Sequence, residues 1–572
     1  SYNVTQEEVR NVSRLQNQLW FPNVVYNHHQ TAPFPTRIWI PPYGEPTNPN
    51  KPGEVIRWEN LIGAAMGQAF DAEGKPGAVS RVSFDAWYPG FMTQVVVHHN
   101  IPSILTETAL YYLATPHEYA LDEIPEEWRD FDKSAFYTEP WRGGWWRIGD
   151  AVEYCLTASK AVLDVTARYR EDMLLSKYRL AMANIQRFQE EEPYGWAFPV
   201  EQRDPYALAL LLDKFRLLGV EVFTAAEPIQ AGGRTFPEGT IVVPTSQPFG
   251  GFVKTLLEEQ VYPDLREKTH LWQGIPRRID VESGPLRPYD VAGWTLSLQM
   301  GLDAVELDGP ALEMDLVPGG GSAADVPAPG LEVGRVGLYR PWQSNMDEGW
   351  LRWILDHYGV PHAELRNDRV VAGSLGQDFD VIVLPSLNAR SLLEGNSPER
   401  VPPEYAGGIG DEGLEALKSF VREGGTLFLH DGAASMAVEA FQLPLREVAN
   451  EAREAGFYAP GSILRFAWNP GTELVGGMDP DGVAFVSSRA SLFEITGSGG
   501  GEVGEPMVLG AFPEHGELLL SGYLEGEDAI RGKSAAVEVP YGEGRLILVG
   551  FSLHNRAQMV ANFPLLLTAL RR

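Results

Sequence analysis

Apolar residues near the start of the chain recur at helical spacing in "EEVRNVSRLQNQLW" (7–20), then close up into "NVVYN", a short buried strand. "ENLIGAAMGQAF" predicts a helix of small residues ended by "DAEGKPG", and "AVSRVSFDAW" returns to strand spacing. The apolar run in "VVVHHNIPSILTETALYY" delivers Glu107 where a helix could begin. A connector, "TEPWRGGWWRIGD", leads into one long helix from about Asp150 to Glu190. Val152, Leu156, Ala161, Leu163 and Val165 form its apolar face. The tryptophans at 141, 145 and 146 read as a packing plug between domains.

From residue 193 the pattern is that of a compact α/β unit. "RDPYALALLLDKFRLLGVEVFTA" reads as helix, glycine stop and strand; "GTIVVPTSQP" is a strand and "GGFVKTLLEEQVYP" a helix closed by proline. "VPGGGSAADVPAPG" (317–330) has linker composition. Beyond it come "VGLYR", "MDEGWLRWILDHYG", "DVIVLPS", "DEGLEALKSFVREGG" and "TLFLHDG", an alternation of strand and helix that predicts a parallel, doubly wound sheet of flavodoxin-like type. From Phe457 the chain is β-rich with glycine turns. The expected fold class is α/β. Its parts are residues 1–125, a connector and helix at 126–192, an α/β domain at 193–316, the linker 317–330, a doubly wound domain at 331–456, and a β-rich tail, 457–572, completing it.

A chain of 572 residues exceeds what one core holds, which agrees with several domains. A formal charge of −31 repels phosphate backbones and anionic lipid and argues against a nucleic-acid partner. The single cysteine, Cys155, excludes an internal disulfide and a cysteine-based zinc cluster. No apolar run approaches the roughly 18 residues of a membrane span.

His28 and His29 end an apolar run and precede a proline-rich loop, so they are either a station for metal or catalysis or one buried imidazole beside one solvated one. A peptidase zinc site needs three protein ligands and a carboxylate that takes a proton from the bound water. None of the eleven histidines has a glutamate three residues after it, so spacing alone supplies no complete metal site. His98 and His99 read as structural. The glycine-rich pieces "PGGGSAAD" and "TGSGGGEVGEP" lack the strand-to-helix setting of a phosphate loop and read as linker or hairpin turns.

The runs "NHHQTAPFPTRIWIPPYGEPTNPN", "FDAWYPG" and "HHNIPSILTETALYYLATP", with "PWRGGWWRIGD", "EQRDPYALALLL", "PEGTIVVPTSQPF" and "PYDVAGWTLSLQMG" after them, resemble zinc metallocarboxypeptidases. The branch resembled is the large bacterial M14 subgroup with a C-terminal glutamine-amidotransferase-like domain, from mid-catalytic domain onward. The resemblance implies His29 as a zinc ligand, Glu107 as the general base and, less directly, Tyr88 as a substrate-contacting tyrosine. It implies zinc as cofactor, a peptide substrate and an extracytoplasmic location. It also implies that this chain alone is inactive, because the other ligands would come from an N-terminal fragment or companion chain. The competing expectation is a non-catalytic extracellular scaffold or binding protein derived from a peptidase; a homo-oligomer is a further partner expectation for the chain. In the amidotransferase-like region the turn after "TLFLH" reads "DGAASMA", with neither a cysteine nor a Gly-x-Ser-x-Gly elbow. That domain is therefore expected to bind or pack, with His430–Asp431 either lining a crevice or capping a turn.

Overall fold

The computed structural model describes residues 2–571 except 33, 35, 36, 83, 111–114, 264–286, 289, 323–325, 327 and 329. Four strands form the first sheet: β1 (Val25–Thr31), β2 (Ile38–Trp39), β3 (Ala78–Val79) and β4 (Ser103–Ala109), in the order β1-β4-β2-β3. β1 runs parallel to β4 with His29 level with Glu107. Alternation then puts these two side chains on one face and His28 on the other. Helices α1 (Gly53–Ala72) and α2 (Ile148–Arg168) supply Ile62, Met66, Phe70, Tyr154, Ala158 and Val162 to a core shared with Ile38 and Ile104.

Several expectations need correction here. Glu107 lies inside a strand, not at a helix start. The described residues of 78–87 form two dipeptide strands, and Arg81 between them adopts φ 61°, off the extended path. The long helix is two, α2 and α3 (Arg170–Glu190), parted at Tyr169, which packs on Trp58. Its expected apolar face also divides: Ala161 and Val165 are buried, whereas Val152, Leu156 and Leu163 are 51%, 46% and 69% exposed beside the open edge of β1.

The middle sheet is antiparallel. Its strands are β5 (Gly195–Phe198), β6 (Phe223–Ala225), β7 (Ile241–Pro244), β8 (Val305–Glu306) and β9 (Leu316–Pro318), in the order β8-β5-β7-β6-β9. Helix α4 (Pro205–Leu217) starts properly: Asp204 accepts the amides of Tyr206 and Ala207, and Pro205 occupies the first turn. The expected linker thus begins as strand, since Val317 and Pro318 pair with β6. Its residues 323–325, 327 and 329 lie outside the described ones.

The last sheet begins with β10 (Val336–Tyr339), followed by α5 (Met346–His357), β11 (His362–Leu365), β12 (Val381–Leu384), α6 (Gly410–Arg422), β13 (Thr426–His430) and α7 (Gly432–Ala440). β14 (Ser534–Tyr541) and β15 (Gly544–Val549) follow much later. The parallel part runs β11-β10-β12-β13-β15, that is second, first, third, fourth, fifth. This is the flavodoxin-like order. β14 then adds antiparallel to β15, and the sheet continues through Met507–Ala511, Pro460–Trp468 and Asp481–Ser487. The central strands β10, β12 and β13 are buried on both sides, as a doubly covered sheet requires, whereas the edge strand β11 exposes Ala363 and Glu364. Val381 and Val383 join the core that holds α5, while Ile382 and Leu384 join the one that holds α6 and α7. The chain is thus a mixed α/β protein with several sheets. Tyr2, Tyr88, Leu211, Phe252, Leu338 and Phe563 share one core that ties its beginning, middle and end together. No helix among the described residues is long and apolar enough to cross a membrane.

Candidate functional site

The residues expected to form a zinc site divide in two. His29 and Glu107 meet: His29 Nδ1 lies 2.9 Å from Glu107 Oε2, with the imidazole 65% exposed and the carboxylate 6%. Burial raises the Glu107 pKa, and the His29 contact pulls against it. Tyr88 is elsewhere, buried in the shared core, its hydroxyl 3.3 Å from that of Tyr2 and taking a 3.5 Å hydrogen bond from Gln558 Nε2. The contact engages only Nδ1 of the imidazole, and no group of three metal-capable side chains among the described residues includes either residue. His28 faces away and reaches Ser159 Oγ at 3.1 Å. His98 and His99 are buried; His99 holds the carbonyls of Val95 and Leu218.

A denser cluster lies at the carboxyl edge of the parallel sheet, where open α/β sheets place their ligands. Four strand ends contribute. After β10, Asn345 caps α5 by accepting the Glu348 amide, and Asp347 sits in the helix's first turn. After β12 comes Ser386, whose carbonyl accepts from Asn345 Nδ2 at 2.9 Å. β13 ends on His430 and turns at Asp431 into α7. Five residues past β15 stands His554. His430 and His554 are fully buried, with rings stacked 4.8 Å apart at 20°.

Asp431 is held at φ 49°, ψ −113°, outside the regions an L-residue prefers. Such a conformation costs on the order of 1–3 kcal/mol and persists only where surroundings impose it. Here the imposition is a 2.6 Å hydrogen bond from the Asp431 amide to the Val549 carbonyl and the start of α7 immediately after. Asn555, Arg556 and Ala557, directly after His554, have φ of 31°, 57° and 56°. Four of the ten non-glycine residues with positive φ among the described ones therefore border the histidine pair. Strain is concentrated at this edge.

The Asp431 carboxylate accepts from Ser386 Oγ at 3.0 Å through Oδ2, while Oδ1 is buried without a partner. Burial, reinforced by the Asp347 carboxylate, pushes its pKa up to about 7, against the pull of Ser386 and Arg489. Burial also lowers the pKa of both histidines, so they are neutral at pH 7. The Leu553 amide donates to His430 Nε2 at 3.1 Å, which fixes the ring's proton on Nδ1. That Nδ1 and the Nδ1 of His554 are buried without hydrogen-bond partners, while His554 Nε2 lies 3.4 Å from Asp347 Oδ1.

Asp347, His430 and His554 can each offer an atom within 4.8 Å of the others, a donor set suited to a divalent metal. The arrangement does not fit one. His430 has one nitrogen engaged as an acceptor and the other protonated. The near-parallel stacked rings also point their in-plane lone pairs alongside each other instead of at one centre. What remains is acid–base chemistry. A carboxyl titrating near neutrality sits at a strained strand-to-helix turn, beside a helix N-terminus and two neutral imidazoles. Sequence reading had left His430–Asp431 undecided and had not singled out Asp347, Ser386 or His554. The available signal was positional, each being among the first polar residues after a strand of the βα series.

No family model and no curated protein matches the chain. Among the solved structures that match is a β-galactosidase from Rahnella sp., 16% identical, with TM-score 0.25, covering 41% of this chain and 31% of that one. Another is an exo-β-1,4-mannosidase from an Opitutaceae bacterium, 12% identical, with TM-score 0.24, covering 41% of this chain and 35% of that one. A ThuA-like protein from Bacteroides uniformis is 9% identical, with TM-score 0.24, covering 41% of this chain and 91% of its own. This chain thus spans about a third of the length of the two glycosidases. The zinc metallocarboxypeptidase reading is therefore corrected. No sequence family supports a peptidase, and the neighbours reported are glycosidases and a ThuA-like protein.

Proposed function

We propose that the C-terminal domain is amidotransferase-like in architecture, with a carboxylate, Asp431, at the elbow where such domains carry a thiol, and that it acts as a hydrolase through proton transfer at that carboxylate. The observation carrying this reading is the Asp431 turn itself: a strained, half-buried acid whose Oδ1 has no partner, at the carboxyl edge of a doubly wound sheet. A carboxyl with a pKa of about 7 both gives and accepts a proton at neutral pH, which suits general acid–base work. Ser386 orients the carboxylate, and the neutral histidines add no positive charge to the pull of Arg489.

The test is a panel of activated esters, amides and glycosides assayed between pH 5 and 9 with the parent chain and Asp431→Asn. Turnover of at least one class, with a rate inflection near pH 7 that vanishes in the variant, is expected. Equal rates for parent and variant on every class turned over, or no turnover of any class, would overturn the reading. We also infer that a partner polypeptide extends the first sheet. Support comes from the open edge of β1 and the exposed Val152, Leu156 and Leu163 beside it, joined to β1 through the His28–Ser159 contact. Sedimentation of the native material checks this; a monomeric chain with no associated polypeptide at working concentration refutes it.

A further inference from the structure

The loop after β10 lines a cavity of about 400 Å³. Its walls include Trp342, Gln343, Ser344, Asn345, Arg340 and Arg366. It sits where β10 separates β11 from β12, the point at which the strand order reverses and ligands enter such sheets. Its volume falls within the range of small-molecule sites, roughly 300–1,000 Å³. Asn345 joins this wall to the reacting group: its Nδ2 donates to the Ser386 carbonyl, and the Ser386 hydroxyl donates to Asp431.

Two features select the ligand. Trp342 stays 37% exposed, with Tyr405, 42% exposed, set edge-on at 5.0 Å and 80°. The Arg366 guanidinium backs the indole, 3.9 Å from the ring centre. Large aromatic rings kept at solvent in a polar cavity suit a ligand with one apolar face. The second feature is charge. Arg340 and Arg366 share Glu364, which Arg352 also approaches at 3.5 Å, and Arg352 pairs with Glu348, so each of the three guanidiniums is engaged by one of two carboxylates. An anion would have to compete with those carboxylates. Neutral donors and acceptors remain, from Gln343 and Ser344. A pyranose matches this set, with a C–H face for the indole and hydroxyls at its rim for amide and hydroxyl.

We propose that the Trp342 cavity binds a neutral carbohydrate and presents it to the Asp431 elbow. The inference rests on the reading of that edge as the working site, which it extends by naming the ligand class. The test uses the full chain and calorimetric titration with methyl hexopyranosides and neutral disaccharides, alongside inorganic phosphate and adenosine. Tryptophan fluorescence follows the same titrations. At least one glycoside should bind, Trp342→Ala should weaken it by about tenfold or more, Trp342→Phe should recover most of the loss, and Asp431→Asn should bind as the parent does. Near-UV circular dichroism of each variant establishes that it is folded. The proposal falls if no glycoside binds, if Trp342→Ala binds as tightly as the parent, or if phosphate or adenosine binds more tightly than any glycoside. Should glycosides bind while Asp431→Asn turns over substrates like the parent, the catalytic reading fails and the carbohydrate site stands.

Discussion

Replacing Asp431 by asparagine should make the protein more stable, and only above acid pH. Burial and the Asp347 carboxylate move the Asp431 carboxyl from 3.8 to about 7. At roughly 1.36 kcal/mol per pKa unit, ionising it in the folded chain costs about 4 kcal/mol more than in the unfolded one. The sign follows from a folded pKa above the unfolded one. Below about pH 3.8 the group is protonated in both states and the penalty is absent; it grows between pH 3.8 and 7 and is constant above. Asparagine has the same shape, still accepts from Ser386 and tolerates positive φ better than most residues, so it should remove the penalty without a new one. For a unit of 150–250 residues, 1 kcal/mol moves Tm by about 2–4 °C, so 4 kcal/mol corresponds to about 8–16 °C at the upper bound. Scanning calorimetry of parent and variant across pH 4 to 8.5, following the transition that contains β13, reads this directly. A Tm difference that is flat with pH, or a variant less stable than the parent at pH 8, would refute the burial argument and the acid–base reading with it.

The histidine pair should act at the other end of the scale. Both are buried with lowered pKa values, so the unfolded chain takes up protons below about pH 6.5 that the folded one refuses, and stability should fall by about 1.4 kcal/mol per pH unit for each histidine; His554→Gln should halve that slope in acid melts. The Lys51–Glu59 pair is 1% exposed on both sides, with Glu59 also receiving the Ser103 amide, so Lys51→Met should cost about 3–5 kcal/mol by leaving a buried carboxylate unpaired. Urea melts should show much of that recovered in the double variant with Glu59→Gln. Tyr88→Phe removes a hydroxyl that links Tyr2 and Gln558 and should cost about 1–2 kcal/mol in the same melts. Gly250→Ala would bring a Cβ within 1.9 Å of the Thr245 carbonyl, so soluble yield should collapse.

The doubly wound sheet was legible because its strands are apolar on both faces: "DVIVLPS" and "TLFLHDG" admit no solvent-facing side, and both became central parallel strands. Where one face meets solvent the reading was poorer. Val152, Leu156 and Leu163 look like core residues by spacing, yet α2 buries the stripe of Ala158, Ala161 and Val165 instead, a choice set by the sheet beneath it. The working edge was hidden for a different reason. His430 and His554 are 124 positions apart, and only the pairing of β13 with β15, which sets His430 level with Val549, brings them together. Nor does "DGAASMA" reveal that its first residue must turn through φ 49°.

The energetics of this edge bear on why such an arrangement would exist. Ionised Asp431 costs about 4 kcal/mol at neutral pH, and its backbone adds on the order of 1–3 kcal/mol. The left-handed turn at Asn555–Ala557 adds about 1–2 kcal/mol per residue. Domains of this size are stable by only about 5–15 kcal/mol, so these terms are comparable with the whole margin. Glycine at 431 would relieve both the charge and the strain within the same fold, and asparagine the charge. A packing module gains nothing from the aspartate. What the aspartate provides, and those residues do not, is a carboxyl that exchanges a proton near pH 7 with one oxygen unpartnered. The strain is therefore better explained by chemistry at this turn than by support for the surrounding sheets.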